Sequence, residues 1–167
     1  MLDSIGVRQI LCEVCFAFFP LSLLKVLMTA LPAILHEPIQ ALLEEGDKSF
    51  DKGNFEAALS KYEEARALLP SDLERWEAST WVMAAIGDAC FLMGDMVRAQ
   101  QALAIAANCP EGAVNPFVQL RLGQSEFELG RLDAATVALS LAFATGGEEV
   151  FEDEEAKYRS LVVQVAG

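Results

Sequence analysis

Gly46 is followed seven residues later by Gly53, and then by Phe55, Ala58, Tyr62, Ala65 and Pro70. From Gly87 the same order returns as Gly94, Met96, Ala99, Leu103, Ala106 and Pro110. From Gly123 it returns again as Gly130, Leu132, Ala135, Leu139 and Ala142. Phe50, Phe91 and Phe127 each stand four residues after the first glycine and fix the same register independently. A chain that repeats at this spacing is restricted to stacked copies of one helix–turn–helix unit, none of which buries its apolar face alone. The residue types fit that unit. The first glycine lets two helices approach closely, and the second suits a left-handed turn between them. The paired alanines lie seven apart, two turns along one helix face, where small side chains allow tight packing.

This pattern resembles the tetratricopeptide-repeat (TPR) family over residues 39–144. The resemblance implies an all-α fold: a TPR solenoid of three helix–turn–helix repeats within 38–144, at 39–70, 80–111 and 116–144. An apolar N-terminal segment, 1–37, would precede it and a C-terminal capping helix, 145–167, would follow. The family's early aromatic is absent, its places being taken by Leu42, Met83 and Gln119. Between the first two repeats, Ser71-x-x-Glu74 reads as a capping box that extends the next helix backward. Asn115-Pro116 reads as an N-cap followed by proline at the first helical position. Glu148 to Val165 reads as one helix, with acids crowding its first half where they favour the macrodipole.

Residues 9–35 are far more apolar than the rest, long enough in principle to span a bilayer. Glu13 and Lys25 lie inside the stretch, and Pro20 and Pro32 interrupt it. Each centred charge costs about 3 kcal/mol on insertion. Three readings stand: a membrane anchor or uncleaved signal, a helix packed on the repeats, and a start assigned too early with Met28 as the first residue. The last is preferred, because the segment shares neither composition nor periodicity with the repeats. Cys12 and Cys15 form an isolated C-x-x-C without a second ligand pair. Cys90 falls on a repeat's core face and Cys109 in a connecting loop. This cysteine usage fits a reducing cytoplasm. Cytoplasmic location is therefore expected, with membrane association through 9–35 as the alternative.

The formal net charge is −13. Such a chain repels phosphate backbones, which argues against nucleic acid and suits a partner protein with a basic surface. Acidity also serves solubility alone. No metal, cofactor or small-molecule substrate is expected. The one histidine, His36, has no second to pair with, and no nucleophile elbow, P-loop or zinc-protease motif is present. The chain is expected not to be an enzyme.

By the resemblance, the concave groove would be lined by Leu43, Asp47, Phe50 and Asp51 from the first repeat, and by Trp81, Asp88, Phe91 and Leu92 from the second. The third would add Phe117, Leu120, Gln124, Phe127 and Glu128, with Arg121 at the groove edge. The three recurring phenylalanines suit packing between repeats. The expected partner-binding set is therefore Asp47, Asp51, Trp81, Asp88, Phe117, Arg121, Gln124 and Glu128. Chaperone-tail recognition, another TPR function, is set aside, because a carboxylate would meet repulsion in a groove this acidic. The runs Trp76–Trp81, Ala85–Phe91, Asn115–Gln124 and Gly147–Tyr158 resemble small bacterial TPR proteins of the polymorphic-toxin immunity type. That resemblance implies an acidic inhibitor that covers a basic toxin. The alternative is a chaperone or assembly scaffold for a secreted or membrane-complex protein.

Overall fold

The computed structural model describes residue 31 and residues 33–166. Cys12, Cys15, Met28 and nearly all of the apolar stretch 9–35 lie outside the described residues, and with them the three readings of that stretch. Within the described residues no helix is long and apolar enough to cross a membrane.

Seven α-helices follow one another, with three short 3-10 turns and no strand among the described residues. They are α1 (Ala33–Phe50), α2 (Phe55–Leu68), α3 (Glu77–Leu92), α4 (Met96–Asn108), α5 (Pro116–Glu128), α6 (Leu132–Gly146) and α7 (Ala156–Ala166). The 3-10 turns are Leu73–Arg75, Gly112–Val114 and Glu148–Phe151. The helices form three antiparallel hairpins, α1 with α2, α3 with α4 and α5 with α6. Each hairpin stacks on the next through α2 against α3 and α4 against α5. The result is an all-helical repeat solenoid.

Local chemistry sets each hairpin. Asn54 and Asp95 accept hydrogen bonds from the amides of Ala57 and Arg98, which starts α2 and α4. Asn115 caps α5 through the amides of Phe117 and Val118, with Pro116 behind it as its sequence predicts. Gly53, Gly94 and Gly130 turn between the helices of each hairpin with φ of 74°, 82° and 76°. An added Cβ there would touch nothing within 4 Å, so the need is for backbone conformation alone. The other repeated glycines answer to packing. A Cβ on Gly87 would lie 2.5 Å from Leu103 Cγ, and one on Gly123 would lie 2.7 Å from Leu139 Cγ. Gly46 faces Tyr62 in the same way. The alanines Ala58, Ala65, Ala99, Ala106, Ala135 and Ala142 have no exposed surface, so close helix contact continues along both turns.

Three details differ from the sequence reading. Helix α1 begins at Ala33, ahead of residue 39, and carries Pro38 inside it. Ser71-x-x-Glu74 forms no capping box. The chain makes a 3-10 turn at Leu73–Arg75, Trp76 stands at the N-cap of α3 without a side-chain bond, and the helix starts at Glu77. Trp76 Nε1 donates instead to Asp72 at 2.9 Å, which holds the turn. Glu148 to Val165 is not one helix. Phe151 buries itself and closes a 3-10 turn, so α7 starts only at Ala156 and the acids precede it. Cys109 stands in the connection just after α4, as its sequence position implies, and its burial there pushes the thiol up to about 11.

Candidate functional site

The first helices α1, α3 and α5 touch in succession and α7 follows α5, so they form one layer of the solenoid. The residues expected to bind a partner all come from α1, α3 and α5, apart from Asp51 just beyond the end of α1. Their surroundings differ sharply along the layer.

Four of these groups are open to solvent. Asp51 is exposed, and Asp47 is exposed while accepting the Tyr62 hydroxyl at 2.7 Å. That carboxylate helps to keep Tyr62 protonated, although burial is the larger cause of its raised pKa. Trp81 on α3 is 51% exposed and Phe117 on α5 is 40% exposed. Each stands six residues before the packing glycine of its repeat, so the two occupy equivalent places on neighbouring helices. An exposed tryptophan and phenylalanine in register are the kind of aromatic surface that anchors a partner chain.

The other four are paired within the chain. Arg121 does not stand at a groove edge. Its side chain is 15% exposed, and it joins three elements. Its Nε donates to Asp88 Oδ1 on α3 at 2.6 Å. Its Nη1 donates to Gln124 Oε1 at 2.8 Å and to Glu154 Oε1 at 3.0 Å. Its guanidinium carbon stands 5.1 Å from the Phe91 ring centre and 5.6 Å from that of Phe117. Burial raises the Asp88 carboxyl above its ordinary value, Arg121 pulls it the other way, and the nearby Glu154 charge adds to the rise.

Gln124 has no exposed surface and belongs to this network. Its Nε2 donates to Glu154 Oε2 at 2.7 Å. Glu128 is engaged too. It accepts from Lys157 Nζ at 2.8 Å and from the Tyr158 hydroxyl at 2.7 Å, which hold its carboxyl below its ordinary value. Tyr158 also stacks edge-on against Phe127 at 5.4 Å. This part of the layer is already supplied with a carboxylate. Arg121 and Gln124 hold one, and it is the chain's own Glu154.

The recurring phenylalanines do different work in each copy. Phe50 packs edge-on against Phe55, Phe91 faces Arg121, and Phe127 meets Tyr158. Sequence reasoning missed Glu154, Lys157 and Tyr158 as partners of the layer. Only the density of acids around Glu154 drew notice, and that density says nothing about which acid turns inward. Among the described residues, no cluster of three or more His, Cys, Asp or Glu is arranged to hold a metal ion.

No protein-family profile matches the chain. No curated protein is similar enough to count as a relative. Among solved structures, the chain is similar to the first TPR of Spaghetti (RPAP3) bound to the HSP90 peptide SRMEEVD. The TM-score is 0.62 at 16% identity, over 78% of this chain and 95% of that one. The likeness shows a TPR-like fold.

Proposed function

We propose that this chain is a non-enzymatic protein-binding module whose α1–α3–α5 layer holds a basic segment of a partner protein. The observation that carries the reading is the pair Trp81 and Phe117, exposed at equivalent places on adjacent helices, with Asp47 and Asp51 also exposed on the layer. Aromatic side chains supply contact area and exposed carboxylates supply attraction for lysine and arginine. The structural neighbour binds a peptide, which supports a protein partner for this fold. The chain's acidic balance, 25 acids against 12 lysines and arginines, supports a basic one. The narrower form of the reading is neutralisation of a basic toxin in the cytoplasm, by covering the surface with which the toxin attracts its own substrate.

The test is co-purification with the tagged full chain, followed by mass spectrometry. Wild type is expected to retain one basic protein that Trp81→Ala and Phe117→Ala release. Retention of the same protein by both variants would overturn the reading, as would a captured partner with an acidic surface. If the captured partner is an enzyme whose activity the chain does not reduce, the toxin form fails while the binding module stands.

A further inference from the structure

The last helix hairpin does not end the layer freely. Between Phe151 and α7 the chain crosses back over α5 and places Glu154 on Arg121 and Gln124. The crossing is fixed at both ends. Phe151 is 5% exposed and Tyr158 3% exposed, so the residues between them are held by two buried aromatics. The other acids of the stretch, Glu148, Glu149, Glu152, Asp153 and Glu155, remain exposed, while Glu154 alone turns inward to the network. Both of its oxygens are satisfied, one by the guanidinium and one by the Gln124 amide.

The cation it covers is scarce. α3 carries no basic residue, and α5 carries Arg121 alone. Arg121 faces two carboxylates, Asp88 and Glu154, so the cluster keeps a net negative charge. Without Glu154, the guanidinium would retain Asp88 and have one free edge beside the Gln124 amide donor. That edge is a two-donor site for a carboxylate.

We infer that Glu154 determines the charge preference of the layer, acting as an internal ligand that fills the Arg121–Gln124 carboxylate site so that acidic chains are refused and basic ones admitted. The inference rests on the reading of this layer as the binding face. Its mechanism is occupancy, since a ligand carboxylate must displace one already held in place, and repulsion from the remaining charge adds to it.

The test uses the full chain and a fluorescein-labelled hexapeptide of glycine, leucine and aspartate with a free C-terminal carboxylate, followed by anisotropy. Glu154→Ala is expected to bind this peptide about tenfold tighter than wild type, the scale of one charge-assisted hydrogen bond. Glu152→Ala removes the same charge from an exposed neighbour and is expected to leave binding as in wild type. Glu154→Ser leaves a side chain too short to reach Arg121 and Gln124, and its gain decides the matter if the alanine variant melts early. Equal gains from Glu152→Ala and Glu154→Ala would reduce the effect to net charge and overturn the inference. No gain in either folded Glu154 variant would also overturn it. A basic partner is sought with wild type alone, so failure to find one would leave this comparison intact.

Discussion

Arg121 on α5 reaches Asp88 on α3 with Nε and Oδ1 2.6 Å apart, and both side chains are largely buried, at 15% and 13% exposure. The pair ties together two first helices that belong to different hairpins, 33 residues apart in sequence. Removing a single member of such a pair is more damaging than the pair is stabilising, because the other charge stays buried and unpaired.

Arg121→Ala is therefore expected to destabilise the fold by about 3 kcal/mol at neutral pH. Asp88→Asn is expected to cost less, because Arg121 keeps Glu154. The Arg121→Ala penalty should shrink in acid. The folded-state pKa of Asp88 is raised by burial, so this group favours folding below its ordinary value and loses that contribution as pH rises through the raised one. Without Arg121 the carboxyl should titrate still higher. Urea melts of both variants at neutral and acidic pH check this. A penalty that grows in acid would show that Asp88 is not the burdened group.

The glycines of the repeat divide into two physical classes, and substitution should separate them. Gly87→Ala puts a methyl against Leu103, which is fully buried, and should cost about 1–3 kcal/mol by overpacking. Gly94→Ala meets no neighbour but must hold φ at 82°, and should cost about 1 kcal/mol through the backbone. Adding Leu103→Ala should relieve the first penalty and leave the second unchanged, so denaturant melts should show coupling in the first double mutant and additivity in the second. Additive behaviour in both would mean that Gly87 does not pack on Leu103.

The chain has two tyrosines, and each donates its hydroxyl to a carboxylate, Tyr62 to Asp47 and Tyr158 to Glu128. Burial and then the acceptor raise both pKa values, Tyr158 to about 12 and Tyr62 further still. A raised folded-state value means that the stability is present below the ordinary phenol range near 10 and is lost as pH climbs through the folded value. Phenolate absorbance should stay flat up to the alkaline unfolding transition and then rise with it. Tyr158→Phe should lower stability at neutral pH and flatten its fall above the ordinary phenol range. A phenolate signal near 10 in the folded chain would contradict both hydrogen bonds.

The sequence makes some of this plain and hides the rest for identifiable reasons. The close approach of two helices at Gly46, Gly87 and Gly123 was legible because it repeats at a fixed spacing, while the side chain that fills each contact, Tyr62, Leu103 or Leu139, is seen only in the structure. The start of α7 was not. The acids from Glu148 to Glu155 are what a helix N-terminus would carry, and only the burial of Phe151 against Phe143 shows that the chain turns first. Arg121 was read as peripheral because its two carboxylate partners lie 33 residues away on either side, beyond any local pattern. The same holds for Glu128, whose spacing could not announce Lys157 and Tyr158.

Trp81 and Phe117 provide the last expectation, since they separate binding from folding. Trp81 is half exposed, so Trp81→Ala should leave stability within about 0.5 kcal/mol of wild type. Phe117→Ala should cost slightly more, because the ring lies 5.6 Å from the Arg121 guanidinium. For the captured partner, each substitution should weaken affinity by about 2 kcal/mol, the scale of an aromatic anchor at the centre of an interface. Asp51→Lys should act mainly on the association rate and on its salt dependence, because an exposed charge steers encounter more than it holds the complex. Stopped-flow association at low and high salt, paired with equilibrium titration, reads both effects. Affinity unchanged in Trp81→Ala and Phe117→Ala, but lost on substituting exposed positions of α2 or α4, would move the binding surface to the second helices.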